Sequence, residues 1–154
     1  PRQLRLDAGN IAELVGRANL IIDGTDNFHT RFIINDYAVK HSLPWIFAGV
    51  VSAEAQIMSV IPGQTACLRC VFDAPPPPCS DPTCRQAGVL GPAVATIASM
   101  QAIEAVKILS GRSDAISPVL TKFNFWANTI QRISATKSPD CPCCAAGHFD
   151  YLNA

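Results

Sequence analysis

Leu20-Ile-Ile-Asp-Gly-Thr-Asp-Asn-Phe-His-Thr-Arg31 decides how this chain is read. Three apolar residues, Leu20 to Ile22, stop at a cluster of small and acidic residues, and a helical pattern begins near Phe28. That is a buried strand running through a polar turn into a helix. In open α/β sheets ligands bind at the carboxyl ends of strands, and the unpaired N–H groups of a helix's first turn favour anions. Two carboxylates at such a place, Asp23 and Asp26, are explained by a cation such as Mg²⁺ held between them and a phosphate. Arg31 lies near the helix N-terminus, where the dipole disfavours a cation; a bound polyphosphate would offset that cost. The same residues also serve as plain caps, since Asp, Thr and Asn are ordinary N-cap residues.

Outward from this turn, the pattern predicts a short helix over Asp7 to Val15, with Asn10 a possible N-cap and Gly16 just past its end. The strand runs from Ala18 to Asp23, and Phe28 to His41 is helical by its apolar spacing. Trp45 to Val51 and Gln56 to Ile61 read as strands around a tight reversal at Ser52-Ala-Glu54. An irregular stretch follows, with the stiff run Pro75 to Pro78, which cannot join a sheet interior. Pro92 and Gly111 frame a long helix, whose small residues Ala93, Ala95, Ala98, Ser99, Ala102 and Ala105 suit close packing on a sheet. Val119 to Phe125 and Thr129 to Ala135 read as a hairpin around Trp126-Ala-Asn128. The order begins as a parallel α/β unit and ends antiparallel. Neither G-x-G-x-x-G nor G-x-x-x-x-G-K occurs, so a phosphate loop would have to precede Pro1.

The chain has 154 residues, 49% of them hydrophobic and 16% charged, the composition of a globular domain with a real core. Its 12 basic and 12 acidic residues give a formal net charge of zero. That speaks against a non-specific nucleic-acid binder or a membrane-surface protein, both of which need a basic excess. Gln86 to Ile103 is free of formal charge, but it is rich in small residues and runs into Glu104 and Lys107. We read it as part of a buried helix rather than a membrane span. No signal-peptide pattern is present. The opening Pro1-Arg-Gln-Leu4 reads as the interior of a longer polypeptide.

There are seven cysteines. Cys67-Leu-Arg-Cys70 and Cys141-Pro-Cys-Cys144 each hold a C-x-x-C pair, which without secretion signals favours metal over disulfides. Two such knuckles make a closed tetrahedral Zn²⁺ site; buried or disulfide-linked cysteines are the alternative. Cys143 could replace a neighbour as ligand. Cys79 and Cys84 lie in the proline-rich loop. Cys84, beside Arg85 and just ahead of a helix start, has the setting of a low-pKa nucleophile, although a lone loop cysteine is commonly incidental.

Together, Asp23-Gly-Thr-Asp-Asn-Phe-His-Thr-Arg-Phe-Ile-Ile-Asn-Asp36, Cys67 to Cys70 with its following prolines, Cys84-Arg-Gln-Ala-Gly-Val-Leu-Gly-Pro92, Gln101-Ala-Ile-Glu-Ala-Val-Lys-Ile-Leu109 and Cys141 to Cys144 resemble the second half of the ThiF/MoeB/HesA family. These are the bacterial relatives of ubiquitin-activating enzymes. The resemblance implies an α/β fold: the C-terminal half of a Rossmann-like ubiquitin-activating-enzyme-type domain, its parallel sheet passing into antiparallel strands, with a four-cysteine zinc site. Residues 1–154 would form a single partial domain lacking the glycine-rich nucleotide-binding half.

The implied activity is use of Mg²⁺ and ATP to adenylate the C-terminal glycine of a ubiquitin-like sulfur-carrier protein ending in Gly-Gly, in thiamine or molybdopterin biosynthesis. On this resemblance Asp26 matches the Mg²⁺-coordinating catalytic aspartate, while Asp23, Asn27 and Arg31 belong to the same nucleotide-side motif. Cys84 matches a cysteine used for acyl or sulfur transfer in some members, with Thr83 standing where Asn is common. Cys67, Cys70, Cys141 and Cys144 match the structural Zn²⁺ ligands. A cytoplasmic homodimer with no membrane or nucleic-acid partner is expected, and the isolated 154 residues should not adenylate anything. Two other readings remain: a relative that activates a carboxylate on a modified tRNA base, and a non-catalytic zinc-stabilised partner subunit.

Overall fold

The computed structural model describes residues 2–76 and 87–153. Its centre is a five-stranded sheet in the order β1-β2-β3-β4-β5: β1 is Ile21–Ile22, β2 Trp45–Val51, β3 Glu54–Val60, β4 Val119–Asn124 and β5 Thr129–Ser134. β1 pairs parallel with β2, and every later pair is antiparallel. The helices are α1 (Ile11–Val15), α2 (Phe28–Lys40), α3 (Leu68–Val71) and α4 (Gly91–Leu109). The expected passage from a parallel unit to antiparallel strands is what forms. Chain direction places the carboxyl ends of β1, β2 and β4 and the starts of β3 and β5 along one edge of the sheet.

Differences from the expected boundaries have local causes. α1 begins four residues after Asp7 because Asp7 builds a turn instead: its carboxylate accepts the N–H groups of Gly9 and Asn10 at 2.9 and 3.0 Å. β1 pairs over only two residues rather than from Ala18 to Asp23, since Ala18 N–H is drawn back onto Val15 O. β3 starts at Glu54 because the reversal leaves Glu54 facing Val51. It ends at Val60, where the Ile61 N–H turns to Thr65 Oγ1 (2.8 Å). Asn27 caps α2, its Oδ1 accepting the Thr30 N–H at 2.8 Å. Gly111 follows the Ser110 cap of α4 at φ +76°, the left-handed conformation that ends helices.

Strand alternation divides the core in two. On one face Trp45, Phe47, Met58 and Leu120 pack with Phe32 of α2 and Leu68 of α3. On the other Ile46, Ala48, Ile57 and Phe123 meet Ile97 and Ile108 of α4. Trp45, Phe32 and Phe47 are fully enclosed; truncating one aromatic of this kind costs about 3–5 kcal/mol.

α4 lays Ala93, Ile97, Gln101, Ala105 and Ile108 on the sheet. The expected use of its small residues is only partly realised: Ala95, Ala98, Ser99 and Ala102 point to solvent. So do Val94, Ile103, Val106 and Leu109. By length and apolarity α4 could cross a membrane; here one of its faces is sheet-packed.

Candidate functional site

The turn after β1 separates the two carboxylates that the sequence places together. Asp23 is 2% exposed and points inward. Its Oδ1 accepts the Thr25 N–H and Oγ1–H at 2.8 and 2.7 Å, and its Oδ2 accepts Arg31 Nε–H at 2.9 Å. Arg31 is as deeply committed. Its guanidinium also donates to the carbonyls of Thr25 and Ala48 at 2.5 and 2.9 Å and lies 5.3 Å from the Phe28 and Phe47 ring centres. The structure thus gives Arg31 a partner in Asp23. Asn27 spends its side-chain oxygen on the helix cap. Asp26 is the exception: it is exposed, its carboxylate accepting only a long 3.3 Å bond from Asn27 Nδ2 among the described contacts.

Asp26 opens onto a trough of about 830 Å³ along the carboxyl edge of the sheet. Its walls include Phe28 and the outer side of Arg31; its floor carries Gly49, Gln56, Lys122 and Gln131; Trp126 stands at its far end. Those four floor residues form one row, each the cross-strand partner of the next. Glycine at position 49 leaves room for the guanidinium: a Cβ there would lie 3.3 Å from Arg31 Nη2, close enough that the side chain would have to give by a few tenths of an ångström. The chain re-enters at this edge after the segment 77–86, where Ser52 N–H donates to Gly88 O (3.0 Å) and Leu90 N–H to Ser52 O (2.8 Å). Cys79 and Cys84 lie outside the described residues.

The second constellation is the cysteine cluster at the opposite end of the α2 face. One Sγ each from Cys67, Cys70, Cys141 and Cys144 lies within 4.8 Å of all the others. Three pairs stand 3.8, 3.6 and 3.4 Å apart. Tetrahedral Zn–S bonds of about 2.3 Å require sulfurs roughly 3.8 Å apart, so the donor set and its spacing fit a metal. None of the five described cysteines forms a disulfide.

Burial pushes the Cys70 and Cys144 thiols up, and a hydrogen bond to Cys143, with burial, does the same to Cys67. Burial raises Cys141 too, yet the backbone N–H groups of Cys144 and Cys143 carry it below the ordinary value. Cys143 is not one of the four; it is hydrogen-bonded to Cys67 on one side, and its sulfur accepts Asn35 Nδ2–H at 3.4 Å. Beneath it Asp36 is enclosed. Burial raises its carboxyl although Tyr151 N–H, Cys143 and Arg69 act the other way. Asn35 Oδ1 accepts the Leu68 N–H at 2.8 Å, tying α2 to the first knuckle.

Gln101 was not legible as a site residue. It is 6% exposed on α4, and its Nε2 donates to the Asp23 carbonyl at 2.8 Å and the Ile46 carbonyl at 3.2 Å. It therefore fixes the backbone of the turn that presents Asp26. The available signal was an amide on the same stripe as Ile97 and Ala105, where an apolar residue would be usual. Trp126 carried no signal beyond its place in a predicted turn.

Comparison with known proteins agrees with this architecture. The ThiF family matches residues 1–143. The sulfur carrier protein ThiS adenylyltransferase of Bacillus subtilis is 38% identical over 148 residues, covering 95% of this chain and 43% of its own. The SAMP-activating enzyme E1 of Haloferax volcanii is 31% identical over 152 residues, covering 99% and 56%. The chain thus spans about half the length of these curated relatives. Among solved structures, E. coli MccB with ATP superimposes with a TM-score of 0.73 at 20% identity, over 92% of this chain and 44% of that one; at that identity the likeness is one of fold. A turn carrying an open aspartate, a sheet that changes from parallel to antiparallel and a match over nearly its whole length lead to one assignment: the chain belongs to the ThiF family.

Proposed function

We propose that this chain is the C-terminal share of a partial adenylation domain whose complete form adenylates the terminal glycine of a ubiquitin-like sulfur carrier. The observation that carries the reading is the open Asp26 carboxylate at the head of the trough, in a chain 38% identical to a relative named as a ThiS adenylyltransferase. The reaction joins a carboxylate oxygen to the α-phosphorus of ATP and releases pyrophosphate. It needs alignment and charge neutralisation more than covalent help.

Asp26 would hold Mg²⁺, which when bound neutralises phosphate charge. Asp23 and Arg31 hold the shape of the turn, Asn27 starts α2 beside it, and Arg31 keeps one side toward the trough. The N-terminal end of α2 adds its unpaired N–H groups, which favour an anion. Cys84 is proposed as the transfer cysteine, on the resemblance alone. The second reading, a non-catalytic partner subunit, has no use for an open aspartate at this position.

The deciding experiment is ATP–pyrophosphate exchange by the full-length gene product with a panel of ubiquitin-like carriers ending in Gly-Gly. Carrier-dependent exchange supports the reading and names the carrier. A folded protein that exchanges with none of them refutes it.

We also propose that Cys67, Cys70, Cys141 and Cys144 bind one structural Zn²⁺. All four positions are protein thiols, so the site is closed, as structural sites are. Metal analysis of unchelated protein should give about one zinc per chain, and Cys67→Ser should release it together with a fall in melting temperature. A metal content far below one, from protein never exposed to chelator, contradicts the assignment.

A further inference from the structure

We propose that Gln101 is a positioning residue for the adenylation reaction: its side-chain amide completes a rung that Asp23 leaves open in the sheet, and thereby sets where the Asp26 carboxylate stands. The inference rests on the adenylation reading and adds a residue that acts through the turn rather than on the reactants. The parallel ladder between β1 and β2 is regular up to Asp23: Ile21 N–H donates to Pro44 O at 3.1 Å, and Asp23 N–H to Ile46 O at 3.0 Å. The next rung would carry Ala48 N–H to the Asp23 carbonyl. Asp23 itself diverts it. Its carboxylate Oδ2 accepts the Ala48 N–H at 3.4 Å, so its carbonyl takes a donor from outside the sheet.

That donor is Gln101. From the buried stripe of α4 its Nε2 reaches the Asp23 carbonyl at 2.8 Å and the Ile46 carbonyl at 3.2 Å, one on each side of the interrupted ladder. A buried carbonyl without a donor is costly, and an apolar residue at position 101 would supply none. The amide is therefore the counterpart of the inward carboxylate, which turns in to hold Thr25 and Arg31.

The turn has little else to fix it. Gly24 is exposed and brings no side chain to pack. Asp26 is exposed as well, with one long bond from its neighbour. Thr25 is tied through its N–H and hydroxyl to Asp23 and through its carbonyl to Arg31, and Arg31 is in turn held on Asp23. Both lines lead back to one residue. Its main chain is held by β2 at the N–H and by Gln101 at the carbonyl. That carbonyl belongs to the peptide unit from which the turn departs toward Asp26. A misplacement of about 1 Å at a reacting group can cost about 100-fold in rate.

The test uses the full-length protein with a carrier that supports pyrophosphate exchange. Gln101→Met keeps the volume and removes the donor. It should lower pyrophosphate exchange about tenfold or more. In a protein already carrying Asp26→Asn it should cost less than about twofold, because a residue that acts through Asp26 then has nothing left to position. The Asp23 and Thr25 amides should exchange hydrogen about tenfold faster relative to those of β4. Ile108→Ala, which loosens the same stripe of α4 about two turns away, should do neither. Gln101→Asn, whose amide is one carbon shorter, takes the place of the Met variant if that protein does not fold, and should show the same pattern. Positioning by Gln101 is overturned if pyrophosphate exchange stays within about twofold of wild type or falls by the same factor in both backgrounds. It is equally overturned if the turn amides keep their protection or if Ile108→Ala reproduces the pattern. If wild type supports pyrophosphate exchange with no carrier, the adenylation reading fails first and the positioning role falls with it. Pyrophosphate exchange that is indifferent to Gln101 removes the positioning role alone.

Discussion

Replacing Asp26 by Asn in the full-length protein is expected to lower carrier-dependent ATP–pyrophosphate exchange by at least about 100-fold, the scale on which loss of one transition-state charge contact is felt. The same change should move the melting temperature by less than about 2 °C, because surface substitutions away from packing usually stay within about 0.5 kcal/mol. The contrast follows from geometry. Asp26 is exposed and accepts one long bond from its neighbour, so the fold asks little of its charge. Asn keeps the shape and a hydrogen-bonding oxygen but cannot hold a divalent cation with a negative charge. Exchange within about tenfold of wild type would remove Asp26 from the reaction and favour the partner-subunit reading.

Arg31→Ala should behave in the opposite way, as a stability variant before anything else. The Asp23–Arg31 pair is 2.9 Å apart with side chains 0% and 7% exposed. Removing one member of a buried pair leaves the other charged and unpaired, at about 3–5 kcal/mol. That is a large fraction of the usual stability of roughly 5–15 kcal/mol. For a domain of this size it corresponds to a loss of roughly 6–20 °C in melting temperature. The double change Asp23→Leu with Arg31→Met should lose less than Arg31→Ala alone, since no unpaired charge remains. Urea or thermal melts of the three proteins decide the matter, and a loss under about 1 kcal/mol for Arg31→Ala would mean that the pair is not the keystone of the turn.

These two predictions also mark the limit of what could be read from residues alone. The turn itself was legible: apolar residues ending at Asp23, a capping Asn27 and a helix from Phe28 are local signals, and they form where expected. Pro92 and Gly111 framed α4, and runs rich in strand-forming residues between turn signals marked β2, β4 and β5 to within a residue. Which of two neighbouring aspartates points inward was not legible. It depends on Arg31 reaching back eight positions to a strand end and on Gly49 of another strand leaving room for the guanidinium. Spacing also could not say which flank of α4 would be covered, because small residues occur all around it and contact with β2 and β3 selects only one stripe. The four thiols were legible as two pairs, but their meeting requires the sheet to bring the chain after β5 back to the chain after β3.

That meeting has a consequence for how the protein is made. Cys67 and Cys141 touch across 74 positions of sequence, as do Cys70 and Cys144. During translation at about 5–20 residues per second, the first pair leaves the ribosome roughly 4–15 s before its partners exist. Through that interval β2 and β3 can pair and α2 can settle, but the first knuckle has only half of its neighbours. The nascent chain thus carries two thiols that nothing yet covers, and their protection depends on the reducing capacity of the surroundings until the last strand has emerged.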